Sequence, residues 1–398
     1  MLYRLWNVAF SDSKRGVHRH VIALALLVQS LAFRAVEADA QSPSLRDGEV
    51  QGRPAWVLEN GMIRVALLRG GGHIAEVRLL SDNPRLALNP MYIPPGAGYM
   101  GHMVCFPHYG PPSSREERQA GLRGHGEAAS VEWDYTRAPE VNAEGIRLYY
   151  GAELPKTQYR IERVVSVKTG ETSVHVEEWI ENLTAYDRPY NRNQHATFGA
   201  PFVAPEKNVL DLSGTRGMTD SRRTAGNQWI GDREFTWPQA PRADGTTVSL
   251  REFRGIARGQ VYTPVLADSS RPLAWFTLYN SDYPLLVGYL FPVADHPWII
   301  DWQNQGREDG SARSARGIEF GTSPFDEGLR RSVERGQMFE TPAYHWISAR
   351  QRLSTTFTIF LTEIPAGFAG VQDVRERGER IVITERGTGR EFELVGYP

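Results

Sequence analysis

The sequence predicts an all-β protein, a sandwich of large antiparallel sheets, and three observations lead there. Eight segments alternate apolar and polar residues with period 2 and are rich in β-branched or aromatic side chains. They are Met62–Leu68, His73–Leu80, Tyr159–Val167, Ser173–Ile180, Leu273–Tyr279, Leu285–Phe291, Thr355–Leu361 and Arg380–Thr384. Turn signals, Thr169-Gly170 and Gly387-Thr388-Gly389, separate neighbours and favour hairpins, hence antiparallel pairing. Long amphipathic helices are absent, and Gly370–Arg377 has room for a short helix at most.

In chain order, the first element is a leader. Basic Lys14, Arg15, His18, Arg19 and His20 precede the apolar run Val21–Val28, and Ala38-Asp39-Ala40 places small residues at a cleavage position. Residues 1–40 therefore read as a signal peptide, with a mature chain expected from Gln41 in the periplasm or outside the cell. That run is too short to span a bilayer, and no later stretch reaches about 18 apolar residues, so no membrane anchor is expected after cleavage. Residues 41–398 contain no linker-like or low-complexity tract and are expected to form a single β-sandwich domain. No repeat of about 20–50 residues is visible, which excludes solenoids and propellers. The loops Leu86–Arg123 and Leu210–Val248, rich in Gly, Pro, Arg and Asp, are long enough to rim a binding cleft.

A formal net charge of −2 leaves no basic excess to neutralise phosphates, so nucleic acid is not an expected partner. Cys105 is the only cysteine, which excludes an intrachain disulfide; between Val104 and Phe106 it reads as a buried small hydrophobe. Gly96-Ala97-Gly98-Tyr99-Met100-Gly101 fits a dinucleotide fingerprint but follows Pro94-Pro95 and opens no helix, so it reads as a loop. His102, His108 and His125 lack metal-ligand spacing, and no serine-hydrolase elbow accompanies them. Neither a metal nor a cofactor is expected.

Five separated islands carry the functional signal: Gly72-His73-Ile74-Ala75-Glu76, Gly124-His125-Gly126-Glu127, Asn193-Gln194-His195-Ala196-Thr197-Phe198-Gly199, Asp295-His296-Pro297-Trp298 and Gly317-Ile318-Glu319-Phe320. In that order they resemble the aldose 1-epimerase, or galactose mutarotase-like, family over roughly residues 55–362, nearer to its broad bacterial membership than to the best-known enzymes. The resemblance implies a galactose mutarotase-like supersandwich whose concave sheet face holds the sugar. It also implies anomer interconversion of a small-molecule aldose, or of a sugar reducing end, by an acid and a base. Histidine suits the acid because its pKa lies near neutrality, and a carboxylate suits the base because it is ordinarily ionised.

By this resemblance His195 is the general acid and Glu319 the base, with Ile318 and Phe320 turned to the other sheet face. His125, between glycines that allow close approach, corresponds to the histidine that polarises the sugar. Glu127 is either its orienting partner or a surface charge. Asp295 is the expected hydroxyl-gripping carboxylate, with Asp301 as its competitor. Gln194, Gln303, Asn304 and Arg123 are candidate hydroxyl partners, and Trp298, Trp302, Tyr109 and Phe198 candidate stacking surfaces. Two departures stand out: the family's early arginine has no clear counterpart, and Phe106–Pro112 lies outside its pattern. A catalytically silent carbohydrate-binding protein and a polysaccharide-processing enzyme are the alternative readings; the first needs no acid facing a base, and the second needs an open groove.

Overall fold

The alternation seen in the sequence is resolved into two large antiparallel sheets in the computed structural model, which describes residues 42–94, 96, 98–223, 229–253, 259–304 and 314–395. The leader, residues 1–40, lies outside the described residues. All eight expected segments form strands. Ile63–Leu68 and Ile74–Leu79 start one residue later than expected, and Arg352–Glu363 runs longer. Thr169-Gly170 closes the hairpin between Tyr159–Lys168 and Ser173–Asn182, with Gly170 at φ 77°.

The front sheet has thirteen strands among the described residues. Its first four follow chain order from Ser44–Val50 to Ile74–Leu79. Its centre runs His102–Cys105, Asn193–Gly199, Ala315–Gly321, Trp298–Asn304 and Gln260–Ala267, gathering strands far apart in the chain. Gly214–Met218 and three short strands complete it. The back sheet has nine strands, built around Leu273–Asn280, Leu285–Pro292, Arg352–Glu363, Ser173–Asn182, Tyr159–Lys168 and Gly145–Leu154.

The two sheets bury one apolar layer between them. Ala196, Phe198, Ile299, Ile318 and Phe320 of the front sheet meet Phe276, Tyr289, Phe291 and Phe357 of the back sheet. Phe291 stacks on Phe320 with ring centroids 4.1 Å apart and planes at 13°. Each such aromatic, fully buried, contributes roughly 1.5–3 kcal/mol relative to exposure.

Gly370–Arg377 is not helical: Val371–Arg377 is a strand, paired with Arg380–Glu385. Its two valines are three residues apart because a bulge interrupts the register between Val371 and Asp373. Both valines pack with Trp275, Tyr279 and Phe360 in a second core cluster. Short helices form instead at Arg115–Gln119, capped by the Ser114 hydroxyl, and at Leu329–Arg335.

One polar cluster crosses the sandwich. Arg163 donates Nε to Glu178 Oε2 at 2.8 Å and Nη2 to Gln194 Oε1 at 3.0 Å, while Gln194 donates to Glu178 Oε1 at 2.9 Å. His102 also contacts Gln194, at 2.9 Å, and all four side chains are fully buried. Removing one charge from such a pair leaves the other unpaired in an apolar layer. Glu178→Ala is expected to cost about 3–5 kcal/mol of stability, read as a lower urea midpoint at unchanged slope; a midpoint within error of wild type would refute the pairing's structural weight.

Candidate functional site

Antiparallel register decides which side chains share a face. Asn193–Gly199 pairs with Ala315–Gly321 so that His195 lies opposite Glu319, and on its other side with Met103. Glu319 in turn lies opposite Ile300. His195, Glu319, Ile300 and Trp302 therefore project from the outer face of the front sheet, while Ala196, Ile318, Phe320 and Asp301 project into the sandwich. Glycine clears the floor around the carboxylate. A Cβ at Gly317 would lie 3.1 Å from the Trp302 ring and 3.3 Å from Glu319 Oε1, and one at Gly321 would meet Asn193 Cγ at 2.4 Å.

Above this floor is a cavity of about 420 Å³, within the usual range for small-molecule sites. His195, Glu319, His125, Thr197, Trp302 and Tyr262 line it. Both long segments contribute to its lining, the first through Tyr92 and Tyr99 and the second through Arg223, while Met103 lines it from the strand His102–Cys105. His125 sits at φ 67°, and the next residue must be glycine: a Cβ on Gly126 would lie 2.2 Å from the Phe106 carbonyl oxygen. This strained turn sets the His125 ring edge-on to His195, with centroids 5.5 Å apart at 89°.

His195 Nε2 is 3.2 Å from Glu319 Oε1, and its Nδ1 is 2.9 Å from the Thr197 hydroxyl. The other carboxyl oxygen, Oε2, accepts from the Tyr109 hydroxyl, which lies 2.8 Å from that of Tyr262. Burial pushes the Glu319 carboxyl up to about 8, against the Tyr109 hydrogen bond, which favours ionisation. Burial likewise holds His195 well below 6.5, and His125 at about 4. Both shifts run against the expected charge states: burial favours the protonated carboxyl and the neutral imidazole. His195 and Glu319 are neighbours on adjacent strands of one sheet. Asp326 reinforces the shift on Glu319, tempered by Arg223, whose Nη2 lies 2.5 Å from Asp326 Oδ2.

Several expected site residues are elsewhere. Gln194, next to His195 in a strand, points into the sandwich and belongs to the Arg163–Glu178 cluster. Asp301 is also on the inner face, fully buried against Arg316 at 2.9 Å, with Gln303 bonded to it. Asp295 lies in the turn before Trp298–Asn304 and accepts from Thr355 of the back sheet at 2.7 Å. Neither carboxylate lines the cavity. Trp298 is on the outer face but buried, its indole donating to the Pro342 carbonyl, so Trp302 is the aromatic that meets the cavity. Phe198 is core, and Asn304, the last residue of its strand, is not among the residues that line the cavity. Arg123 is exposed and lines a neighbouring cavity. Glu127 neither orients His125 nor faces solvent: it is buried and accepts from the Thr157 backbone and hydroxyl. Cys105 is buried, its thiol raised by desolvation.

Tyr109, Tyr262, Thr197, Arg223 and Asp326 complete the site. Thr197 was findable, since it is two residues beyond His195 on the same strand face. Tyr109 comes from Phe106–Pro112, the segment outside the family's pattern, and acts as a hydrogen-bond donor rather than a stacking surface. Arg223, Asp326 and Tyr262 carry no local signal.

The raised pKa has a stability consequence whose sign is fixed. Between pH 6.5 and about 8, His195 is neutral in folded and unfolded chains alike, whereas Glu319 keeps its proton only when folded. Stability contributed by Glu319 therefore falls as pH rises through this window and levels off above it. Glu319→Gln carries no such proton and is expected to gain on wild type by on the order of 1–2 kcal/mol over the window. Paired urea unfolding at several pH values measures this; a pH-independent difference would show that Glu319 is ionised throughout.

No protein-family model matches the sequence, and no curated protein matches it. Solved structures do match. A galactose mutarotase-like protein from Clostridium acetobutylicum aligns with TM-score 0.52 at 10% identity, covering 81% of this chain and 99% of that one. A galactose mutarotase related enzyme from Lactobacillus acidophilus aligns at 0.51 and 13%, covering 78% and 99%. The Slr1438 protein from Synechocystis aligns at 0.52 and 14%, covering 81% and 97%. At these identities the likeness is one of architecture, and the chain has the galactose mutarotase-like fold.

Proposed function

We propose that the protein is an aldose 1-epimerase-like isomerase that opens and recloses a sugar ring, with His195 and Glu319 as its acid–base pair. The observation that carries this reading is the pair itself: two titratable groups 3.2 Å apart on the floor of a cavity of about 420 Å³. The ring oxygen and the anomeric oxygen of an aldose are bonded to the same carbon, so one pair reaches both from one edge. One member gives its proton to the ring oxygen as the bond from that oxygen to the anomeric carbon breaks. The other takes the proton of the anomeric hydroxyl, leaving an aldehyde. Rotation about the next carbon–carbon bond exposes the opposite face, and closure returns both protons.

The resting proton sits on Glu319, and its passage to His195 Nε2 produces the imidazolium acid and carboxylate base implied by the family. Tyr109 and Arg223 favour that second state by stabilising the carboxylate. Trp302 offers an apolar face to the sugar's C–H groups, and His125 and Thr197 offer polar partners. A catalytic pair of this kind contributes about 10²–10⁴-fold per group.

His195→Asn and Glu319→Gln are each expected to lower kcat by about 10²-fold or more, with the double variant little worse, because the two act as a unit. Polarimetry of freshly dissolved α-aldose reads the rates, with circular dichroism to confirm folding. Wild-type rates in both single variants would sink the mechanism, and a wild type that binds sugars without exchanging anomers would be a carbohydrate-binding protein.

The reading includes export of a single domain, residues 41–398, supported by the basic, apolar and small-residue order of the leader. N-terminal sequencing of protein secreted from a bacterial host is expected to begin at Gln41; a start at Met1 with stable membrane association would refute it.

A further inference from the structure

Beside the reaction cavity lies a second, of about 650 Å³, and Gly98 and Tyr99 line both. Tyr99 is held as the dividing wall: its hydroxyl donates to the Gly124 carbonyl, and its ring meets His125 edge-on at 5.7 Å. The second chamber carries one sign of charge. Arg53 and Arg123 line it, and none of its described lining residues is acidic. Elsewhere the arginines near the site are paired, Arg222 and Arg223 with Asp326 and Arg335 with Glu327. Among the described residues Arg53 donates only to the Gly98 carbonyl, burial lowers its pKa, and no described carboxylate offsets that cost.

We propose that this chamber binds a second sugar ring bearing a carboxylate, so that the substrate is the reducing end of an acidic, uronate-containing oligosaccharide. The inference rests on the isomerase reading of the first cavity. Guanidinium forks match carboxylates and hold them by charge-assisted hydrogen bonds. A chamber of about 650 Å³ has room for a whole ring, far beyond what a lone anion on the reacting sugar needs. Tyr99, reaching both chambers, contacts both rings across their linkage.

Titration calorimetry and anomer-exchange NMR on three ligands test this: a reducing disaccharide with a terminal uronate, its neutral counterpart of the same linkage, and a hexose 6-phosphate. Wild type is expected to bind the acidic disaccharide about 10-fold or more tighter than the neutral one. That ratio is expected to fall toward one in Arg53→Ala and in Arg123→Ala; Arg123 is exposed, so its variant keeps the test open if the other misfolds. Equal affinities, a ratio indifferent to both arginines, or tighter binding of the hexose 6-phosphate would overturn the proposal. Arginine-dependent binding without anomer exchange would support the chamber and sink the isomerase reading. Exchange on neutral sugars with no acidic preference would do the reverse.

Discussion

The site depends on one register, the pairing of Asn193–Gly199 with Ala315–Gly321. Because side chains alternate with period 2, this pairing sends His195 and Glu319 to the outer face and Phe320, Ile318 and Ala196 to the inner one. A slip by one residue would bring Gln194 and Phe320 outward and drive a histidine and a glutamate into the aromatic layer. The register is therefore held from behind, by the stack of Phe320 on Phe291 and by the fully satisfied Gln194 between Arg163 and Glu178. Core packing and site geometry are two faces of the same constraint.

That constraint places a carboxyl where water does not reach, and the electrostatics follow. Desolvation raises the Glu319 pKa, so an opposing interaction is needed if it is to act as a base. The Tyr109 hydroxyl on Oε2 supplies it, backed by Tyr262, while Asp326 and Arg223 pull in opposite directions. The outcome is a carboxyl raised to about 8 beside an imidazole lowered by burial. The cavity above is rimmed by loops from two distant parts of the chain, so its chemistry is set by the sheet and its selectivity by the loops.

Much of this architecture was legible in the chain. Alternation in Tyr159–Val167 and Ser173–Ile180, with a glycine turn between them, determined antiparallel pairing, because a half-buried strand writes its two environments directly into residue order. His195 and Glu319 were legible through the islands around them. The same alternation rule excludes Gln194 once His195 is placed, so that misassignment was correctable from sequence. The Val371–Arg377 strand was masked by a bulge, which spaced its buried valines by three.

By itself, then, the sequence determined the fold class, through alternation and turn signals, and singled out His195 and Glu319 through the islands that hold them. Only the tertiary structure decided the rest. Asp301 and Asp295 became structural because Arg316 on the neighbouring strand and Thr355, 60 residues away, reach them first. Tyr109 joined Glu319, 210 residues away, and burial raised the carboxyl's pKa while lowering the imidazole's. Contacts of that separation, and the desolvation they create, depend on how the strands assemble, and no local spacing of residues records it.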